Sequence, residues 1–285
     1  MGSFIQVVHL VGLLLLSGVV WSSSQSFWDN YQITWGSNNL IVQNQGSQVQ
    51  ISLDSSSGSG FGSKVSYGSG LITVRMKLSP QSYTAGVVTT FYMSSNTYNH
   101  DELDWEFLGH TAGQPYTLQT NVFTNGVGGR EQRFTLWFDP SAAFHTYQIL
   151  LNDYQTVFLV DGIPVRVFKN NAKIGVPYIT QPLQILASIW DGDSWATDGG
   201  LATINYAYAP FTAQFQNFGI SGCQASNGNI QNCYSSQYWW NGPNYRQLSA
   251  SQQNAYGIIK RHYMNYDYCT DKNRYPVAPP ECSTE

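Results

Sequence analysis

The stretch HDELDWEFLG, residues 100–109, alternates acidic and apolar side chains without a break from Glu102 to Phe107. Successive residues of a β-strand point to opposite faces, so Glu102, Asp104 and Glu106 share one face. The apolar residues between them share the other face and are suited to a protein core. The pattern therefore predicts a strand that is covered by a second layer on its apolar side and open on its acidic side.

Similar segments lie on both sides of this strand. Short apolar or alternating runs with Gly-rich turns continue from about residue 33 to residue 220, and Asp161-Gly162 marks a hairpin. Many strands at regular spacing, with no helical pattern between them, are typical of a sandwich or jelly roll, so we predict an all-β fold. The predicted strands are residues 71–78, 86–93, 101–108, 116–123, 130–138, 144–151, 156–160, 165–168, 183–190, 203–208 and 211–220.

Composition limits the classes of partner. The chain has 285 residues, which suits one large β domain or one domain with a short appendage. Only 11% of the residues are charged and the net charge is −4, which argues against a nucleic-acid partner, because phosphate binding needs clustered Lys and Arg. Aromatic residues reach 15%, which argues against disorder. We expect a monomer that needs no cofactor.

The amino-terminal segment has the pattern of a secretion signal. Residues 11–20, VGLLLLSGVV, form an apolar run that is too short to span a bilayer, and small residues follow it. We predict a signal peptide over residues 1–24, a jelly-roll domain over residues 25–222 and an extension over residues 223–285. No later stretch is apolar enough to cross a membrane, so we expect no membrane association after cleavage.

The predicted extension contains every cysteine of the chain: Cys223, Cys233, Cys269 and Cys282. An even number of cysteines in an exported chain indicates disulfides, and three pairings are possible. We favour the local pairing of Cys223 with Cys233 and Cys269 with Cys282; a zinc site is the alternative, although no CxxC pair is present. Residues 248–266 have helical periodicity, with Ser249 and Gln252 at the spacing of a capping box.

The acidic face of the strand needs a chemical reason. The chain has 17 acidic residues, and four of them fall within residues 101–106, where like charges repel one another. Glu102 and Glu106 are ~13 Å apart at Cα on a strand. Their side chains can approach to the ~5–6 Å of a retaining glycosidase pair, with Asp104 between them. Calcium binding and a solvated acidic surface are the alternatives. Charge alone does not say which Glu would act as the acid.

This strand resembles the active-site strand of the xyloglucan endotransglycosylase/hydrolases, in glycoside hydrolase family 16, whose usual form is close to HDEIDFEFLG. The resemblance covers nearly the whole mature chain, including the four-cysteine extension. It implies a concanavalin-like jelly roll of two curved antiparallel sheets with an open groove. Further matching stretches are FGSK (61–64), QPY (114–116), TNV (120–122), REQ (130–132), LWFDP (136–140), VDGIPVR (160–166), WAT (195–197), YCTD (268–271) and PEC (280–282).

The resemblance also implies roles for individual residues. Glu102 matches the family's nucleophile, Glu106 its acid/base and Asp104 the residue that tunes the pair. Gly129 stands where the family often has Asn, and Ser194 where it usually has Asp. Trp190 and Trp195 flank a polar loop, which favours sugar stacking over burial in the core. The sugar-contacting positions implied in this way, together with the two tryptophans, are Gln119, Thr120, Asn121, Gly129, Arg130, Glu131, Trp190, Ser194, Trp195, Gly199 and Arg274.

The implied activity is cleavage of the xyloglucan backbone and its transfer to a xyloglucan acceptor in the cell wall. Hydrolytic members of the family tend to carry a longer insertion near residues 124–129, which are short here, so transfer is favoured. The alternatives are a xyloglucan hydrolase, a relative that takes cellulose or mixed-linkage glucan as donor, and a wall-binding lectin without catalysis. The lectin is the weakest of these, because all three carboxylates are present.

Overall fold

The computed structural model describes residues 25–225 and 229–284, so the predicted signal peptide lies outside the described residues. The described chain is almost entirely β-structure. Its helices are α1 (Phe27–Asn30) and α2 (Ala250–His262). Its strands are β1 (Tyr31–Trp35), β2 (Leu40–Gln43), β3 (Gln48–Leu53), β4 (Ser59–Lys77), β5 (Val87–Ser94), β6 (Glu102–Leu108), β7 (Thr117–Phe123), β8 (Gln132–Thr135), β9 (His145–Leu151), β10 (Gln155–Val160), β11 (Ile163–Lys169), β12 (Leu183–Asp191), β13 (Phe211–Gln216), β14 (Ser221–Gln224) and β15 (Met264–Asp267).

Two antiparallel layers share the long strand β4. The first half of β4 pairs with β1 and β12, and the layer continues through β5, β6, β7 and β8 to β15. We call this layer the trench sheet. The second half of β4 pairs with β9 and β13, and this layer continues through β10 to β11 on one side and through β3 to β2 on the other. The predicted all-β jelly-roll sandwich is therefore confirmed.

The core between the layers is closed by the apolar face of β6. Trp105 meets the rings of Tyr147 and Phe158 edge-on, with centroids 5.8 and 5.1 Å away, and Phe107 meets Tyr147 at 4.9 Å. Such aromatic pairs each add ~0.5–1.5 kcal/mol beyond the area they bury. A slip of one residue in β6 would exchange these rings for carboxylates, so the core fixes which face the acids occupy.

The predicted helix is shorter than expected. The capping box of Ser249 and Gln252 is present, but α2 ends at His262, and the next residues pair as β15 with the edge strand β8. The predicted strand over residues 203–208 is wrong. The side chain of Asn205 instead accepts a hydrogen bond from the Ala207 amide and caps a 3₁₀ turn over Tyr206–Tyr208.

The extension is attached to both layers. Its disulfides join Cys223 to Cys233 and Cys269 to Cys282, the local pairing that the sequence favoured. Trp240 and Leu248 pack with Leu150 and Val157 on the outer side of the second layer. Strand β15 instead widens the trench sheet. The domain boundaries themselves stay a prediction. None of the helices in the described ranges is long and apolar enough to cross a membrane.

Candidate active site

The carboxylates of Glu102, Asp104 and Glu106 line one cavity of about 480 Å³ on the open face of the trench sheet. Their neighbours are set by strand register, because directly paired residues point to the same face. On β5, Tyr92 lies opposite Asp104 and Thr90 opposite Glu106. The full lining is Thr90, Tyr92, Glu102, Asp104, Glu106, Gln119, Asn121, Phe123, Glu131, Arg133, Ser188, Trp190 and Trp195. We call this cavity the trench.

Asp104 is the most enclosed of the three acids, with 5% of its surface exposed. Burial raises the pKa of its carboxyl well above the usual range, and the charges of Glu102 and Glu106 and a hydrogen bond with Glu102 raise it further. The buried guanidinium of Arg166 acts in the opposite direction. These contributions favour the protonated form of Asp104, which can donate in the hydrogen bond with Glu102.

The contacts that set the pKa of Glu106 differ from those of Asp104. Burial raises its pKa to about 7, helped by the charges of Glu102 and Glu131. The Gln119 amide donates to Glu106 Oε2 at 2.6 Å and works against this rise. Gln119 is oriented in turn by Arg133, whose Nε donates to Gln119 Oε1 at 2.6 Å. Glu106 is thus a carboxyl group that carries a proton at mildly acidic pH and can release it near neutrality.

The two glutamates on the open face have different surroundings. Glu102 is hydrogen-bonded with Asp104, whereas burial raises the pKa of Glu106 to about 7. A carboxylate and a carboxylic acid side by side in a cleft are the requirements of retaining glycoside hydrolysis. Within residues 25–225 and 229–284, no group of three or more His, Cys, Asp or Glu side chains is arranged to hold a metal ion.

Aromatic rings form the walls of the trench. Trp190 and Trp195 both line it, with ring centroids 6.1 Å apart, and Tyr92 and Phe123 line it as well. The two tryptophans are half-buried and also pack on a small cluster around Val88. One part of each indole therefore packs in the protein and another part forms the cavity surface. Their exposed faces are available to stack on the apolar faces of sugar rings.

The structure places only some of the predicted contact residues in the trench. Gln119, Asn121 and Glu131 line it, and Arg274 reaches its edge by donating to Glu131 at 2.6 Å. Thr120 does not line it. This residue is fully buried, pairs with Trp105 on the core face of its strand, and accepts a hydrogen bond from Arg166.

Arg130 is also directed away from the cavity. Its Nε donates to Glu281 at 2.7 Å in an ion pair that is almost completely buried, and its Nη1 donates to the carbonyl of Val127. The guanidinium anchors the end of the chain to the trench sheet and lies outside the trench lining, so a sugar contact through this side chain stays a prediction. Isolated charges are costly to bury, so this pairing explains why both residues are found inside the protein.

The three remaining predicted positions lie outside the trench lining. The carbonyl of Gly129 accepts a hydrogen bond from the Tyr275 hydroxyl at 2.9 Å. A Cβ at this left-handed position would lie 2.5 Å from that oxygen, so the close approach requires glycine. Ser194 and Gly199 are exposed on the loop around Trp195.

Five lining residues were missed by the sequence analysis: Thr90, Tyr92, Phe123, Arg133 and Ser188. Each lies on a strand next to β6 or one strand further away. Alternate residues of a strand point to the same face, and each of these five is at a position that points to the trench face. The signal that would identify them is the pairing register. Register depends on contacts between segments distant in sequence and is not visible in any one segment.

The fold and the site together are those of a jelly-roll glycosidase, with Glu102 and Glu106 side by side in an open trench. Residues 27–208 match the family described as Glycosyl hydrolases family 16, and residues 234–282 match the family described as Xyloglucan endo-transglycosylase (XET) C-terminus. The chain belongs to the xyloglucan endotransglucosylase/hydrolase family, and it is therefore an enzyme.

Relatives and solved structures agree with this assignment. The chain is 54% identical to "Xyloglucan endotransglucosylase/hydrolase protein 2" of Arabidopsis thaliana, over 89% of this chain and 87% of the relative. It is 47% identical to "Probable xyloglucan endotransglucosylase/hydrolase 1" of Solanum lycopersicum, over 91% and 88%. Among solved structures, the Bacillus licheniformis β-glucanase superposes with a TM-score of 0.54 at 26% identity, over 66% of this chain and 89% of that chain.

The hydrogen bond from Gln119 leads to a prediction about pH. Replacing Gln119 with Leu removes a contribution that lowers the pKa of Glu106. The pKa then rises above about 7. Because the acid form is the active one, we expect the alkaline limb of kcat/KM against pH to move to higher pH in Gln119→Leu. A limb that stays in place or moves to lower pH would contradict this assignment. The Asn121→Leu variant is a control for changed polarity of the trench.

Proposed function

We propose that the enzyme cuts the β-1,4-glucan backbone of xyloglucan and transfers the cut end to a xyloglucan acceptor. The observation that carries the proposal is the buried carboxyl of Glu106, whose pKa burial raises to about 7, beside the hydrogen-bonded Glu102 on the floor of an open trench. An open trench can accept a long chain at an internal position, and its aromatic walls suit an uncharged polymer. Xyloglucan is taken as the substrate because the relatives are named for it.

The first step makes a covalent intermediate. Glu102 attacks the anomeric carbon while Glu106 gives its proton to the glycosidic oxygen, so that the C–O bond of the backbone breaks as the ester bond forms. The segment that carries the new hydroxyl leaves. Asp104 donates a hydrogen bond to Glu102, which orients that carboxylate before attack and stabilises it again when the ester is broken.

The second step determines whether the product is transferred or hydrolysed. Glu106, now ionised, removes a proton from the incoming hydroxyl as the oxygen attacks the ester-linked carbon. A sugar hydroxyl rebuilds a glycosidic bond, whereas water gives hydrolysis. Because water is abundant, a transferase needs an acceptor site that holds the sugar at high effective concentration.

The extension supplies such a site at one end of the trench. A second cavity of about 410 Å³ continues from the trench through Arg133, which lines both, and its lining includes Asn265 and Tyr266 of β15. The Arg133 guanidinium lies over the Tyr266 ring at 5.3 Å. The loop after β7 is short and is closed by a bridge between Thr124 and Val127. These features favour transfer over hydrolysis.

The proposal includes the place of action. Xyloglucan is a wall polymer, so we infer export of the enzyme, after removal of residues 1–24, to the cell wall, where it acts as a monomer. Cellulose and mixed-linkage glucan remain candidate donors beside xyloglucan.

One incubation tests the proposal. Purified enzyme is mixed with xyloglucan, with and without a fluorescent xyloglucan oligosaccharide, and polymer length and label are followed by size-exclusion chromatography. We expect the label to enter the polymer and few new reducing ends to form. New reducing ends without incorporation would identify a hydrolase, and no change in length would reject the proposal. Parallel incubations with cellulose and mixed-linkage glucan define the donor range.

A further inference from the structure

One row of directly paired residues crosses the whole trench sheet through Glu106. Glu106 is paired with Gln119 and Arg133 in one direction and with Thr90 and Ser188 in the other. All five line the trench. Directly paired residues of a regular ladder share a face. The register shifts beside both end residues, but the Arg133 guanidinium lies over the Tyr266 ring and the Trp35 indole lies where a Cβ on Gly60 would point, so both ends of the row are on the trench side. The complete row is Tyr266, Arg133, Gln119, Glu106, Thr90, Ser188, Gly60 and Trp35.

An aromatic residue stands at each end of this row. Tyr266 lies at the end where the acceptor site is proposed, and Trp35 lies at the opposite end, on the edge strand β1. Trp35 is 42% exposed, although a large apolar side chain on a sheet face usually gains free energy from burial. It lies outside the trench lining, and Ser188 and Gly60 connect it to the trench.

Gly60 provides the space that Trp35 occupies. A Cβ at position 60 would lie 2.4 Å from the indole Nε1 of Trp35 and 2.9 Å from the carbonyl of Ala187. The indole therefore rests directly on the backbone of β4, in a place that any side chain at position 60 would obstruct. Between the ring and Glu106 the row contains only Ser188 and Thr90, two small uncharged hydroxyl residues. The surface from Glu106 to Trp35 therefore carries small, uncharged polar side chains, and it ends at the aromatic ring of Trp35.

We propose that Trp35 is a sugar-stacking residue at the far end of the trench, where it binds a β-glucan backbone residue remote from the bond that is cut. Strands are spaced at ~4.8 Å, so three steps from β6 to β4 place this ring ~14 Å from Glu106, about three sugar residues along an extended chain. This inference rests on the proposed function. It adds that a chain long enough to reach β1 gains a further contact, which makes Trp35 a determinant of the preference for long substrates over short ones.

The test uses xyloglucan oligosaccharides of increasing backbone length. We expect Trp35→Ala to lower kcat/KM on long chains roughly tenfold, the size given by loss of one aromatic contact, and to leave the shortest cleavable chain unaffected. Trp35→Phe keeps a ring and should retain most of the activity on long chains. Calorimetric titration of the same oligosaccharides into Glu102→Ala and into Glu102→Ala with Trp35→Ala measures binding without turnover, and the loss should again be confined to long chains.

Trp239→Ala is the matched control, because Trp239 is 46% exposed but packs on Trp240 and Tyr245 in the extension, away from the row. An equal loss on every chain length, or no loss on any, would overturn the role of Trp35. An enzyme that is active on xyloglucan and indifferent to Trp35 refutes this inference alone. An unaltered enzyme that does not act on xyloglucan refutes the proposed function as well.

Discussion

Replacing Glu102 with Ala should lower xyloglucan cleavage by about 10⁴-fold or more, because no covalent intermediate can form without the attacking carboxylate. We expect the variant to keep its fold. Glu102 is partly exposed and its charge raises the pKa of both Asp104 and Glu106, so its removal relieves repulsion. We therefore expect a thermal unfolding midpoint at or above that of the unaltered enzyme. The measurement is incorporation of labelled acceptor per mole of enzyme, with circular dichroism as the control for folding.

A chemical rescue identifies the role of Glu102 beyond the loss of activity. With an aryl β-glycoside of a xyloglucan oligosaccharide, azide can enter the space left by Glu102 and attack the anomeric carbon from that side. The product is then the inverted α-glycosyl azide. A β-glycosyl azide, or activity of Glu102→Ala on xyloglucan close to that of the unaltered enzyme, would show that Glu102 is not the nucleophile.

The fold could be predicted from the sequence wherever the pattern of one segment is sufficient to identify its structure. The alternation of β6 was sufficient to predict a strand with an acidic and an apolar face, and the core contacts of Trp105 and Phe107 agree. The segment over residues 203–208 looked similar, but its Asn205 side chain competes for a backbone amide and caps a turn. Local periodicity does not reveal this competition. Nor does it reveal that β4 belongs to both layers.

Site residues on the same strand could be predicted from the sequence, whereas site residues on different strands were predicted less well. Gln119, Thr120 and Asn121 are consecutive, and a strand can direct only alternate residues to one face, so Thr120 had to point away from its neighbours. Arg130 and Glu131 are also neighbours, but they lie before β8, where Arg130 is paired with the buried Glu281 and Glu131 lines the trench. Arg133 could not be found in this way. Its role depends on pairing with Gln119, and that pairing is set by register between strands.

Replacing Glu106 with Ala should lower cleavage of xyloglucan by about 10²- to 10⁴-fold, the contribution of a general acid to a poor leaving group. The loss should depend on the substrate. An aryl glycoside with an acidic phenol leaves without a proton, so we expect the first step to survive and the covalent intermediate on Glu102 to accumulate. The alkaline limb that the Glu106 pKa of about 7 produces should also disappear from the pH profile.

The product formed with azide separates the two glutamates. In Glu106→Ala the nucleophile is intact, so azide attacks the carbon that is already esterified to Glu102, and the second displacement restores the β configuration. The two variants should therefore give opposite anomers from the same aryl glycoside, α from Glu102→Ala and β from Glu106→Ala. If the anomers are exchanged, the roles are exchanged as well. In that case burial and the Gln119 hydrogen bond would be tuning the nucleophile rather than the acid, and the mechanism would have to be rebuilt with Glu106 as the attacking group.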